Sequence, residues 1–210
     1  MKQLSLVAVL LLALGGASAL AGSRAPHSSQ KSPPPKPSAL RAPIEKEISA
    51  AKKAGEAMVE LDTDKGKITL ELDGKAAPAA VANFLNLVNA GFYNGMPFHR
   101  VEPKFVIQAG DPTLVGRPPV GYTIRDERSP IKHTRGVIAM ARTYRSNQMV
   151  PNSASTQFYI CLGDAPHLDQ LGFTAFGKVT RGLDILDRIQ IGDRIRKGTV
   201  VKPAPPHGRK

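Results

Sequence analysis

The residue types best suited to chemistry stand together in Phe98-His99-Arg100-Val101-Glu102-Pro103-Lys104-Phe105-Val106-Ile107-Gln108-Ala109-Gly110-Asp111. Arg100 is a permanently charged, planar, forked donor. Gln108 is a neutral amide that both donates and accepts. Around them lie Phe98, Phe105, Val106 and Ile107, and Gly110-Asp111 marks a turn. Val106 and Gln108 share strand parity and so face one side of a strand. Arg100 lies on the strand before, across the Glu102-Pro103-Lys104 break. A hairpin return there sets Arg100, Phe105 and Gln108 around one shallow apolar patch. Such a site has a guanidinium, an amide and aromatic walls. It has no obvious nucleophile and no metal-ligand cluster, which leaves its chemistry open.

Other catalytic sets are weak. No Gly-x-Ser-x-Gly elbow, P-loop or GxGxxG following a strand occurs. His27, His99, His133, His167 and His207 are scattered without metal-ligand spacing. The acids fall mainly in hairpins and on solvent faces, which gives a glycosidase-like carboxylate pair little support. Aromatic content is 5% with no Trp, against a stacking platform for single-stranded nucleic acid. The one cysteine, Cys161, cannot form an intramolecular disulfide and sits in an apolar β-rich run, so it reads as a buried structural thiol.

The elements that must position the patch occupy the middle of the 210-residue chain. Met1-Lys2, the apolar run Leu4 to Leu14 and the small residues of Ala17-Ser18-Ala19-Leu20-Ala21 form a secretory-leader pattern over 1–21. An uncleaved membrane anchor is the alternative. Residues 22–43 are rich in Pro, Ser and Lys and read as a semi-extended linker. The formal net charge is +12, of which 22–43 carries +4 and 192–210 carries +5. The middle is therefore close to neutral and the basicity sits mainly on the ends. That distribution does not suggest a nucleic-acid-binding face, and it suits weak contact with anionic surfaces.

Ile44, Ile48 and Ala51 make a thin helical stripe closed by Gly55, which predicts a short, mobile lead-in over 44–57. Met58–Thr63 and Lys67–Leu72 alternate around Asp64-Lys65-Gly66, predicting a β-hairpin. Ala76–Ala90 turns helical, with Pro78 in its first turn and Val81, Phe84, Leu85 and Val88 on one face. Further strands are predicted over 136–141, 157–162, 173–179 and 199–201, with a short one at 122–124. Residues 142–151 read as a polar, flexible loop, 182–191 as a second helix, and 202–210 as a basic tail that frays. Many strands, two helices and many turns predict a closed or nearly closed antiparallel β-structure with helices over its ends.

Phe98-His99-Arg100, Phe105 and Gln108-x-Gly110-Asp111 resemble the central motif of the cyclophilin-type peptidyl-prolyl isomerases. Val81-Ala82-Asn83-Phe84, Gly91-Phe92-Tyr93, Gly136–Ala141, Ser155–Ile160, Leu168-Asp169 and Phe173–Val179 resemble that family's other segments in the same order. The resemblance covers about 58–191. It implies a mainly β fold, an eight-stranded antiparallel barrel capped by two α-helices over 58–201, and a cofactor-free, metal-free enzyme that turns X-Pro bonds between cis and trans. Amide resonance sets a barrier of about 18–20 kcal/mol. Twisting the bond breaks no covalent link, so no nucleophile is needed.

By position, the resemblance implies Arg100, Gln108 and Phe105 as catalytic, with Arg100 donating to the prolyl nitrogen and Gln108 holding a substrate carbonyl. Phe105, Val106, Tyr159, Leu168 and Phe173 would form the proline pocket, Ala141 and Arg142 the groove, with backbone contacts from residue 142, and His99 and Gln157 the rim. The sequence also departs from the family pattern. Ala109 replaces a Gly, Val106 a frequent Met, Tyr159 the usual Phe, Phe173 a frequent His and Arg142 the usual Asn. His167 stands where well-known eukaryotic members have Trp, which implies weak cyclosporin binding. The implied partners are proline-containing segments of client proteins, with no nucleic acid and a monomeric state. The expected role is folding of exported, periplasmic proteins, with a secreted or anchored form as the alternative. A non-catalytic Pro-peptide-binding chaperone or scaffold is the second reading.

Overall fold

The computed structural model describes residues 40–146 and 148–202. The expected leader, nearly all of the linker and the tail after residue 202 lie outside the described residues. The first helix, α1 (Glu45–Ala54), is seated on the domain rather than mobile. Ala51 is buried and Ile48 packs on the core. Glu47 accepts from Asn86 at 3.1 Å and from Arg41 at 2.7 Å. Gly74 has no Cβ because one would strike the Ala51 carbonyl. Tertiary contacts thus anchor a helix whose own stripe is thin.

The predicted hairpin is β1 (Glu56–Thr63) and β2 (Gly66–Asp73), paired from Glu56↔Asp73 to Thr63↔Gly66. Val59 and Leu61 of β1 and Ile68, Leu70 and Leu72 of β2 point inward, as the period of two requires. Next comes α2 (Pro78–Asn89), with Pro78 in its first turn. Its opening N–H groups at Ala79 and Ala80 donate to the Glu127 carboxylate, each at 2.9 Å. That satisfies donors a helix start leaves open and places an anion at the positive end of the dipole.

The remaining strands are β3 (Met96–Glu102), β4 (Val106–Ala109), β5 (Val137–Met140), β6 (Tyr144–Arg145), β7 (Gln148–Met149) and β8 (Phe158–Cys161). After these come α3 (Pro166–Gln170), β9 (Ala175–Arg181), α4 (Leu183–Leu186) and β10 (Arg194–Val201). Eight strands close an antiparallel barrel in the order β1-β10-β3-β4-β8-β5-β9-β2. Closure removes the unpaired edges of an open sheet. Inside, Phe84 of α2 meets Tyr93, Phe158 and Phe176 at centroid separations of 5.1, 5.3 and 5.4 Å. The Tyr93 hydroxyl donates to the Thr156 carbonyl at 2.9 Å.

Four further local expectations change. Residues 122–124 form no strand, only a single bridge between Ile124 and Ala154. Within the expected loop, Tyr144 pairs with Met149 and Arg145 with Gln148 as the short strands β6 and β7, with Val150 N–H donating to the Thr143 carbonyl at 2.9 Å. The second helix shrinks to the single turn α4; beyond it Asp187 pairs with Arg135 at 2.7 Å, and Asp193 accepts from the Gln190 N–H at 2.7 Å as the chain turns into β10. Arg194, Arg196 and Lys197, counted with a basic end, belong to β10, and Arg196 pairs with Asp64 at 2.8 Å. Among the described residues no helix is long and apolar enough to cross a membrane.

Candidate active site

A second apolar cluster lies on the outer face of the barrel wall. It contains Val106, Ala139, Tyr159, Cys161, Leu168 and Phe173, with Phe105 and Ala141 at its margin. Alternation assigns it: Ile107, Ile138 and Ile160 face the interior cluster, while Val106, Ala139, Tyr159 and Cys161 face out. Helix α3 brings Leu168 over this face, and the segment before β9 brings Phe173. The ring of Phe173 meets that of Tyr159 edge-on, 5.9 Å away at 78°.

Arg100 reaches this face because of a bulge. Phe98 pairs with Ala109, yet Arg100 pairs with Gln108, so His99 is an extra residue in β3. Strict alternation would put Arg100 on the inward side with Phe98. The extra residue reverses the parity and turns the guanidinium outward beside Gln108. Lys104, at φ 64°, closes the β3–β4 turn, with Phe105 N–H donating to the Glu102 carbonyl at 3.0 Å.

The guanidinium is held as a fork. Its Nε donates to Glu102 at 2.8 Å, one terminal nitrogen reaches the same carboxylate at 2.8 Å, and the other donates to Gln108 Oε1 at 3.2 Å. Gln108 in turn donates to Gln157 Oε1 at 2.8 Å. The carbon of the guanidinium lies 5.5 Å from the Phe105 ring centre, and that ring packs on His167 at 5.4 Å. A guanidinium carries five N–H donors. Two of them are used in hydrogen bonds to described residues, one from Nε and one from a terminal nitrogen, while the other terminal nitrogen lies in ion-pair contact with Glu102.

The structure brings Arg100, Phe105, Val106, Gln108, Gln157, Tyr159, Leu168 and Phe173 into one site. Ala141 borders it, its N–H donating to the Gln157 carbonyl at 3.0 Å. Beyond Ala141 and Gln157 the groove widens into a cavity of about 740 Å³, lined also by Asp111, Thr113, Tyr122 and Ser155. His99 sits at the bulge with its Nδ1 buried and without a partner among the described residues. Burial lowers its pKa below the usual value, with Asp111 opposing.

Arg142 stands beside Ala141 among the residues that line this cavity, while its side chain turns back into the protein. Its side chain is 8% exposed and is tied to Asp126 at 3.0 Å, to the Leu171 carbonyl at 3.1 Å and to the Gly172 carbonyl. It lies 4.9 Å over the Phe173 ring. It therefore braces the pocket wall from behind.

Sequence reasoning missed Glu102, Asp126, His133 and Asp169. Asp169 sat in a motif already noticed, beside Leu168, but its partner His133 is 36 residues away. Nothing in the local pattern around His133 marked that pairing.

A family model described as cyclophilin type peptidyl-prolyl cis-trans isomerase/CLD matches residues 58–205. A peptidyl-prolyl cis-trans isomerase of Helicobacter pylori is 44% identical over 153 residues, covering 71% of this chain and 90% of that protein. Peptidyl-prolyl cis-trans isomerase B of Bacillus subtilis is 40% identical over 136 residues, covering 64% and 90%. Among solved structures, a Cryptosporidium parvum cyclophilin type peptidyl-prolyl cis-trans isomerase is similar with a TM-score of 0.61 and 28% identity, covering 71% of this chain and 99% of that one. The same protein was also solved in the presence of the dipeptide Ala-Pro, with a TM-score of 0.60 and 29% identity to this chain.

Proposed function

The chain belongs to the cyclophilin-type peptidyl-prolyl cis-trans isomerases, and from that premise we propose that Arg100 is its catalytic donor, acting on X-Pro bonds held in the pocket of Phe105, Val106, Tyr159, Leu168 and Phe173. The observation that carries this reading is the clamped guanidinium, fixed by Glu102 and Gln108 at the open margin of an apolar site. In the planar amide the prolyl nitrogen shares its lone pair with the carbonyl and accepts hydrogen bonds poorly. As the bond twists, the lone pair localises on nitrogen and becomes an acceptor. A donor preorganised at that position binds the twisted state better than either planar state, which is the requirement for catalysis. The apolar walls hold the proline ring, Gln108 holds a neighbouring substrate carbonyl, and the groove past Ala141 receives the residues before proline.

The leader pattern over 1–21 supports export, and the proposed clients are proline-containing segments of proteins that fold in the periplasm. The domain over 58–201 does the chemistry, and the basic ends make at most weak contact with anionic surfaces. N-terminal sequencing of the mature protein tests export: an intact Met1 on material from the periplasmic fraction is the result against a cleaved leader.

The isomerase assay on a Pro-containing peptide tests the mechanism. Arg100→Ala is expected to lower kcat/KM by about 100-fold or more, the scale of losing one preorganised donor. Arg100→Lys keeps the charge without the fork and is expected to recover only part of it. An unchanged rate in Arg100→Ala sinks the catalytic role and leaves a site that only holds its peptide.

A further inference from the structure

Behind the pocket wall runs a buried polar chain that the proposed chemistry does not use. The Tyr159 hydroxyl lies 3.0 Å from His133 Nε2, and His133 Nδ1 lies 2.7 Å from Asp169 Oδ1. His133 is 2% exposed. Its backbone N–H donates to the same carboxylate oxygen at 3.1 Å, and its carbonyl accepts from Ala165 N–H at 2.8 Å. An ionised carboxylate only accepts, so Nδ1–H donates to Asp169. In the neutral imidazole Nε2 then carries the lone pair, and the Tyr159 O–H donates to it. Burial pushes the Asp169 carboxyl up, but the bonds from the His133 side chain and backbone outweigh it and hold the group below its ordinary value.

We propose that Asp169 and His133 are positioning residues that set the width of the proline pocket through the Tyr159 hydroxyl. The chain joins two walls built on different elements. Tyr159 belongs to β8, whereas Asp169 follows Leu168 on α3, and His167 of the same turn packs on Phe105. A Phe at position 159, usual in the resembled family, keeps the ring but has no tie. A tyrosine hydroxyl buried in an apolar wall is costly unless partnered, and here the partner also fixes the ring against Phe173. The tie holds the Tyr159 ring to the α3 wall through two hydrogen bonds.

This inference rests on the isomerase reading, and the test separates the two. Tyr159→Phe, His133→Leu, the double variant, Asp169→Asn and Arg100→Ala are made in the full chain. Their kcat/KM and their affinity for a Pro-containing peptide are measured at about 10 °C, where circular dichroism shows each folded, with thermal midpoints recorded separately. Tyr159→Phe is expected to lower both kcat/KM and affinity about fivefold, the scale of one hydrogen bond. His133→Leu is expected to lower them further by stranding the hydroxyl, and the double variant to return to the Tyr159→Phe level, since removing both partners leaves nothing unsatisfied. Asp169→Asn, which keeps an accepting oxygen, is expected to lie nearer the unsubstituted protein. Spectra of 15N-histidine-labelled protein are expected to show a proton on His133 Nδ1, the donor to Asp169.

A role confined to stability moves the midpoints and leaves kcat/KM and affinity of the folded variants within about twofold, which overturns the proposal. A His133 without a proton on Nδ1 also overturns it. If His133→Leu fails to fold, Tyr159→Phe and the double variant decide. Unchanged activity in Arg100→Ala defeats the isomerase mechanism, whereas loss there with an unaffected Tyr159→Phe defeats only this inference.

Discussion

Replacing Arg142 by Ala tests whether the pocket wall is braced from behind. The guanidinium is almost wholly buried between the Asp126 carboxylate at 3.0 Å, the Leu171 carbonyl at 3.1 Å, the Gly172 carbonyl and the face of Phe173 at 4.9 Å. Removing one partner of a buried pair costs about 3–5 kcal/mol, because the remaining charge is left uncompensated. Asp126 keeps the Asn152 N–H at 2.9 Å, and the two carbonyls lie near enough to the surface for water to replace the lost donors, so the low end applies. The expected loss is about 3 kcal/mol, or roughly 6–12 °C in thermal midpoint for a domain of this size. Urea unfolding of Arg142→Ala, Asp126→Ala and the double variant measures it, and the coupling between the two sites is expected at about 1–3 kcal/mol. The Phe173 ring also loses its cover, so kcat/KM of the folded Arg142→Ala variant is expected to fall about tenfold, against a much smaller stability effect for Arg142→Lys. A stability loss below about 1 kcal/mol, or strict additivity with Asp126→Ala, refutes the bracing argument.

The Cys161 thiol is pushed up to about 12, chiefly by burial and further by Asp169 and Asp164. It is expected to resist a thiol reagent at about pH 8 until the protein is unfolded, and rapid native labelling counts against that environment. Glu47 is lowered to about 2, mainly by the hydrogen bond from Arg41, despite its partial burial. Because its folded value is depressed, its contribution is complete above its ordinary value of 4.5 and is lost as pH falls toward about 2. The urea midpoints of the unsubstituted chain and Glu47→Gln should therefore differ near neutrality and converge in acid, and a gap that persists in acid contradicts the assignment. Gly110 adopts φ 101°, and a Cβ there would strike the Thr156 carbonyl. Gly110→Ala is expected to cost at least about 2 kcal/mol in urea unfolding, and a neutral substitution would mean that this turn relaxes freely.

Legibility followed the range of the signal. The β1–β2 hairpin and α2 were readable because their apolar periods run over whole elements and their boundaries carry Asp64-Lys65-Gly66 and Pro78. Helix α4 was overestimated because apolar residues, Leu183, Leu186 and Ile189, recur through 182–191 although the helix itself ends at Leu186. The hairpin β6–β7 was read as loop because its strands are two residues each, too short for a period to show. The site residues came out together because they sit in short ordered motifs, whereas His133 and Asp126 owe their roles to contacts 36 and 16 residues away.

The sequence by itself determined the inventory of the site: a guanidinium and an amide among apolar residues, with no nucleophile at hand, and the strand parity that puts Val106 and Gln108 on one face. It did not determine on which face Arg100 would stand. Alternation counted from the buried Phe98 sends Arg100 into the barrel, and only the extra residue at His99 turns it out beside Gln108 and Phe105. That bulge is settled by pairing, since β3 must meet β4 on one edge and β10 on the other while the barrel closes. Tertiary structure likewise decided that Arg142 turns back to brace Phe173 and that Tyr159 is tied through His133 to Asp169. Each of these depends on which distant groups remain unpaired when the walls come together, and local sequence carries no record of that.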